Sequence, residues 1–328
     1  MRVSTISIAA LAAFAITGTQ AATVPPLQLG DAVTLSGISS GAYMASQYHL
    51  SFSNEVKGVG LIAGGPWGCA LGDLSVALAH CMAKPDAKPD LTKARQAMDA
   101  AVALGKLPPL TALRNTPVYV LHGRLDQTVG AVVSDALVSQ YQELGAKVTY
   151  DNNRPFAHHF PTLATGTRCD TSESPFLGNC QFDAAGALLK TLYPALKPAL
   201  QQASGTLLEI DQQALGGETA SSLADKGFLY VPTQCAAGQA CQLHIAFHGC
   251  KQNAQAIGDV FAKGTGLNAY ADSNDLVVLY PQTKKSMLSP FNPNGCWDWW
   301  GYTGPDYGNS QGPQIKAVHR IAQALQSR

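Results

Sequence analysis

Short apolar runs alternate with segments of helical period along most of the chain. "DAVTLSGI" (31–38) reads as a strand, and "GAYMASQYHLSFS" (41–53) as a helix behind a turn. "VKGVGLIAGG" (56–65) reads as the next buried strand, "TPVYVLHGRLD" (116–126) as a strand ending in a polar turn, and "AKVTYDNN" (146–153) as a further strand. Helical periods lie between them, over 91–104 and 132–144, and again in "AAGALLKTLYPAL" (184–196). From Gly205 the alternation resumes with "GTLLEIDQ", "KGFLYVPTQ" and "QLHIAFHG". A helix over 253–273, the strand "DLVVLYPQ" and a closing helix over 314–326 complete it. Strands alternating with helices predict an α/β domain, a mostly parallel sheet with helices on both faces. Two stretches break the pattern: an irregular region over 66–109, and a loop over 290–313 rich in Gly, Pro, Asn and aromatics.

The first residues do not belong to this pattern. Met1-Arg2 is a short positive start, Ile6 to Ile16 is apolar, and Thr19-Gln20-Ala21 supplies small residues for cleavage. Residues 1–21 therefore read as a secretory signal peptide. Residues 22–328 read as a single catalytic domain with no Ser/Thr-rich linker and no separate substrate-binding module. Lysine plus arginine (22) balances aspartate plus glutamate (22), which gives no attraction to nucleic acid. Charged residues are only 13% of the chain, which suits a neutral or insoluble partner. Export makes the eight cysteines disulfide candidates. Proximity pairs Cys69 with Cys81, Cys169 with Cys180 and Cys235 with Cys241, leaving Cys250 with Cys296 to close a longer loop. Their spacing does not resemble a zinc site.

The candidate chemistry starts at Gly37-Ile38-Ser39-Ser40-Gly41, a Gly-x-Ser-x-Gly pattern between a strand and a helix. This is the nucleophile-elbow arrangement, followed along the chain by an acid and then a histidine. Asp126 lies just past the strand 116–123, and His158-His159 follow the next one. Ser39, Asp126 and His158 thus occur in triad order, with His159 as rival base and Ser40 as rival nucleophile. Alternatively Asp126 only caps a turn, and the histidines are ordinary imidazoles. The Ser40 backbone N–H, one residue past the nucleophile, stands where an oxyanion donor belongs. The second donor normally sits in a His-Gly loop after an earlier strand; here that loop is His248-Gly249-Cys250, far downstream. The strands that should precede the elbow have moved to the C-terminal half, so the chain reads as a circularly permuted α/β-hydrolase.

With "SGISSGAYMA", "AGGPWGCA", "HGRLDQTV", "AHHFPT", "AFHGCKQNA", "LYPQ" and "NPNGCWDWW", the chain resembles the extracellular poly(3-hydroxybutyrate) depolymerases of single-domain, permuted type. The resemblance implies Ser39 as nucleophile, Asp126 as acid and His158 as base, with the Ser40 and Cys250 N–H groups as oxyanion hole. It implies a secreted serine esterase, extracellular or periplasmic, without metal or cofactor. It would be a monomer that does not insert in membranes, hydrolysing an insoluble or oligomeric short-side-chain polyester. Trp299, Trp300, Tyr302 and Tyr307, beside the expected Cys250–Cys296 bridge, are candidates for lining its substrate crevice. Two other readings are an esterase for feruloylated or acetylated polysaccharide, and a non-catalytic secreted polymer-binding protein.

Overall fold

The computed structural model describes residues 24–82 and 88–327; the expected signal peptide lies outside the described residues. Eight strands form one sheet: β1 (Gln28–Ile38), β2 (Val56–Ile62), β3 (Pro117–Gly123), β4 (Lys147–Arg154), β8 (Thr206–Asp211), β9 (Lys226–Val231), β10 (Ala240–Phe247) and β11 (Leu276–Tyr280). A small second sheet holds β5 (Phe160–Thr162), β6 (Thr167–Arg168) and β7 (Leu177–Asn179). The main order is β4-β3-β2-β1-β10-β11-β9-β8. Only β9 is reversed, running antiparallel to both of its neighbours, β11 and β8.

The expected α/β architecture is therefore present, with β1 at its centre, parallel to both β2 and β10. Every residue from Val33 to Ile38 is buried, as a strand covered on both faces requires. Leu35, Val59, Val118, Leu243 and Val277 face one apolar layer, which also receives Met44 and Leu137 from helices. Ile38, Ile62, Leu121 and Val278 face the other, with Leu188 of the helix Ala184–Leu192. The closing helix Pro313–Gln326 starts with Gly312 and Pro313 in the positions that favour a helix start. At its other end Gln326 donates to the carbonyls of Gly30 (2.8 Å) and Asp31 (2.9 Å), so it finishes against the start of β1.

Two expectations changed. The helix expected over 253–273 is three shorter ones, Ala254–Ile257, Val260–Gly264 and Leu267–Asn274. Gly258 (φ 62°) and Gly266 (φ 86°) take left-handed backbone between them, which glycine adopts without steric cost. Within the irregular region 66–109, a further short helix runs over Leu74–His80, with the Asp73 side chain accepting from Ser75 and Val76 N–H at its start.

One buried rung of the sheet is polar. His244 on β10 bonds Thr34 (Nδ1, 2.7 Å) and Ser36 (Nε2, 2.8 Å) of β1, and Thr34 meets the Tyr193 hydroxyl at 2.6 Å. Burial pushes His244 and His49 down to about 3, and His159 and His248 down to about 4. In the unfolded chain such imidazoles titrate at about 6.5. As pH falls below that value the unfolded state binds protons first, so the folded state loses stability until the folded pKa values are passed. Each histidine contributes up to about 1.4 kcal/mol per pH unit in that window. Urea denaturation midpoints should fall clearly between pH 7 and pH 5. A flat midpoint across that range would show that the folded imidazoles take up protons as readily as the unfolded ones.

Candidate active site

Ser39 sits between the end of β1 and the helix Ser40–Ser51, with φ 55° and ψ −125°. A non-glycine residue there carries strain, held by the surrounding packing. Its N–H donates to the Ile62 carbonyl at 2.9 Å. The flanking glycines explain the motif. A Cβ on Gly37 would collide with the Gly41 backbone, and one on Gly41 with the Phe247 and His248 carbonyls. The elbow therefore packs directly on the end of β10, and the His-Gly loop passes beside Ser39 itself.

That loop is fixed from several sides. The buried His248 has Nδ1 at 2.7 Å from the Gly249 carbonyl and accepts from the Thr283 N–H at Nε2, 3.3 Å away. Gln252, 1% exposed, takes the Gly249 N–H at 2.8 Å through Oε1. Its Nε2 donates to the Pro175 (3.1 Å) and Phe176 (3.0 Å) carbonyls. Nothing in the sequence singled out Gln252, yet it ties the His-Gly loop to the segment beside His158. Among the described residues, the N–H groups of Ser40 and Cys250 have no protein acceptor. Ser40 opens its helix, where the first N–H groups lack intrahelical partners. The Ser40 hydroxyl turns away and accepts from the Trp297 N–H at 3.3 Å.

Asp126 lies in the loop after β3, and His158 between β4 and β5. His158 Nδ1 meets Asp126 Oδ2 at 2.7 Å, and the His158 N–H donates to Ser172 Oγ at 2.8 Å. The other carboxylate oxygen accepts from the Thr128 (2.8 Å) and Val129 (2.9 Å) N–H groups. Asp126 thus both caps its turn and holds the histidine. Burial would raise its carboxyl, but the His158 imidazole and the N–H donors outweigh this and hold it below the usual range. Its neighbour His159 is buried against Gly178, where even a Cβ would strike the ring. Its Nε2 lies 3.6 Å from Cys180 Sγ, and its Nδ1 has no partner.

Ser39, Ser40, His158, Gly249 and Cys250 line one cavity of about 490 Å³, to which His159 does not contribute. Leu74, Leu78, Met82, Phe291, Trp299 and Trp300 also line it, Met82 and Trp300 packing on the same apolar cluster as Trp299. The four expected cysteine pairs all lie at disulfide distance. Cys250–Cys296 ties the aromatic loop to the His-Gly loop, and Cys69–Cys81 closes around the helix Leu74–His80. Asp298 shapes the aromatic loop: its carboxylate accepts from the N–H groups of Gly301 (2.7 Å), Tyr302 (3.0 Å) and Thr303 (2.7 Å). Burial pushes this carboxyl up, against the Thr303 hydroxyl and backbone donors that favour its charged form.

The four candidate aromatics divide. Trp299 stacks on Tyr43, with centroids 4.8 Å apart, and Trp300 meets Trp299 edge to face; both line the cavity. Tyr302 and Tyr307 do not line it. The Tyr302 hydroxyl donates to the Cys296 carbonyl at 2.8 Å, and Tyr307 accepts from the Gly72 N–H at 3.2 Å. The Tyr302 hydroxyl thus serves the loop's own hydrogen bonding and the Tyr307 hydroxyl ties the loop to Gly72, commitments that composition does not reveal.

A family profile described as Esterase PHB depolymerase matches residues 226–326. The chain is 37% identical over 304 residues to a protein named poly(3-hydroxybutyrate) depolymerase from Delftia acidovorans, covering 90% of this chain and 59% of that protein. It is 34% identical over 332 residues to a polyhydroxybutyrate depolymerase of Talaromyces funiculosus, covering 95% of each. Among solved structures, a PHB depolymerase from Penicillium funiculosum matches with TM-score 0.84 and 33% identity, covering 93% of this chain and 98% of that one. A serine-to-alanine variant of a PHB depolymerase complexed with an R3HB trimer matches with the same score, identity and coverage.

Proposed function

The chain belongs to the esterase PHB depolymerase family, and from that premise we propose that it is a secreted serine esterase hydrolysing poly(3-hydroxybutyrate) or a related short-side-chain polyester. The observation that carries the reading is a single cavity where a strained serine, a carboxylate-held histidine and two unengaged N–H groups meet under an apolar rim. In this reading Ser39 Oγ attacks the ester carbonyl carbon while His158 Nε2 takes its proton. The developing oxyanion lies against the Ser40 and Cys250 N–H groups, which are already oriented. The C–O bond breaks, the leaving alkoxide takes the proton from His158, and Ser39 keeps the acyl group. Water, deprotonated by the same imidazole, then releases the hydroxyacid and restores the serine.

The rim supports an insoluble substrate. Leu74 and Leu78 are each 49% exposed and Phe291 is 58% exposed, with Met287 and Leu288 in the adjoining turn also exposed. Clustered exposed apolar side chains beside a cleft mark an interaction site. An exported catalytic domain acting as a monomer would meet polymer through this rim. Among the described residues no helix is long and apolar enough to cross a membrane. The permuted reading is supported by the sheet. Followed from β8 through β11 and on to β1 through β4, the chain crosses the sheet from edge to edge with one exchange, of β10 and β11.

Purified enzyme should clear a poly(3-hydroxybutyrate) suspension and leave methyl ferulate and acetylated xylan largely untouched. The opposite preference would move the assignment to polysaccharide esters, and no hydrolysis of any of them would favour a binding role. Trp300 is half-buried at the mouth, between Trp299 and Tyr302. Trp300→Ala should reduce polymer hydrolysis about tenfold or more and hydrolysis of p-nitrophenyl butyrate far less, because lost apolar contact acts on the longer substrate. Equal losses on both substrates would mean that Trp300 only supports the loop.

A further inference from the structure

We propose that Lys251 recognises the terminal carboxylate of a hydroxyacid chain, so that the cleft prefers acid-ended oligomers to the same chain with its end esterified. This deepens the polyester-hydrolase reading of the cleft and rests on it. Lys251 follows Cys250 directly and lines the same cavity. Among the described residues that line the cavity, it is the sole lysine or arginine, and none of them is an aspartate or glutamate. Lys251 has no acid partner among the described residues, so its charge is not already spent on another side chain.

Its backbone is also held in place. Lys251 has φ 62°, left-handed for a residue with a Cβ, and its N–H donates to the Asn294 carbonyl at 2.7 Å. That conformation is strained for a residue with a Cβ. Two anchors on the same loop maintain it, the Asn294 bond and the neighbouring Cys250–Cys296 bridge. The consequence is a cation on a flexible stem whose root is fixed beside the oxyanion donors.

The chemistry of the substrate supplies one partner for that cation. A hydroxyacid polyester is neutral along its length, and its acid end is its one charged group at neutral pH. Hydrolysis of each ester with water makes one alcohol and one new carboxylic acid, so every cut creates another such end. In a 3-hydroxyacid the last carboxylate is separated from the last ester oxygen by only two carbons. A carboxylate bound by Lys251 therefore sets the terminal ester close to Ser39, and chains would shorten from the acid end.

The test compares a 3-hydroxybutyrate trimer as free acid with its methyl ester, for the wild type and for Lys251→Met, which keeps the stem and removes the charge. Wild-type kcat/KM should favour the acid by about five- to thirtyfold, the range of a charge-assisted contact in a partly wet cleft. Added salt should lower the preference. In Lys251→Met the ratio should fall to about one, and Lys251→Arg should restore part of it. No preference in the wild type overturns the proposal. So does a parallel loss on both trimers in Lys251→Met, which would assign the ammonium to the oxyanion instead. If neither trimer is cleaved while p-nitrophenyl butyrate is, the polyester reading itself fails, an outcome distinct from an equal rate on both trimers.

Discussion

Ser39→Ala is expected to lower ester turnover on the order of 10⁶-fold and to leave the protein folded. Without Oγ there is no acyl-enzyme, and the remaining rate comes from the oxyanion donors and substrate binding alone. Alanine keeps a Cβ at φ 55°, so it neither relieves nor adds backbone strain, and the thermal midpoint should stay close to wild type. Ser39→Gly should be as inactive but more stable, because glycine takes this conformation freely. Ser40→Ala should be the mild substitution. It removes the acceptor for the Trp297 N–H but leaves the Ser40 N–H, the group that would face the oxyanion. The checks are active-site titration with a serine-reactive phosphonate, steady-state rates and thermal unfolding. Substantial turnover or labelling in Ser39→Ala would move the nucleophile to Ser40 or remove the serine-esterase mechanism.

Much of this site was legible in the sequence because its chemistry sits at strand ends, and strand ends follow from local pattern. The Gly37–Gly41 spacing read as an elbow since each glycine has a steric reason that holds in any such turn. The cysteine pairs read correctly because three of them close short loops. What stayed hidden depends on tertiary contact. His158 and His159 are adjacent and alike in sequence; the small β5-β7-β6 sheet turns one toward Asp126 and buries the other over Gly178. Strands of two or three residues carry no readable period, so that sheet left no signal. Gln252 and His244 are buried polar residues whose deciding partners lie far along the chain: Phe176, 76 residues from Gln252, and Ser36, 208 residues from His244. Among the aromatics, Trp300 and Tyr302 look equivalent until the Tyr302 hydroxyl is seen to bond the Cys296 carbonyl.

The Asp126 carboxylate supports a second large effect through its two oxygens. Oδ1 accepts two N–H groups, from Thr128 and Val129, and Oδ2 faces His158 Nδ1. In Asp126→Asn the amide must choose an orientation. Its oxygen is required at the Oδ1 position, since turning the NH₂ there would set a donor against two buried donors. The NH₂ therefore faces His158, whose Nδ1 becomes the acceptor, and the ring proton moves to Nε2. An imidazole protonated at Nε2 cannot take the serine proton, so turnover should fall on the order of 10⁴-fold with the fold intact. KM should change far less than kcat, because no contact to bound ester is removed. The stability of the variant should also lose its carboxylate-linked pH dependence. In the wild type the folded Asp126 pKa lies below the unfolded value, so its stabilisation is present above the unfolded pKa and is lost as pH falls through the folded one. At alkaline pH the variant should not recover, since a tautomer cannot be titrated back as a charge can. Near wild-type turnover in Asp126→Asn would mean that the acid of the triad is another residue and that Asp126 only closes its turn.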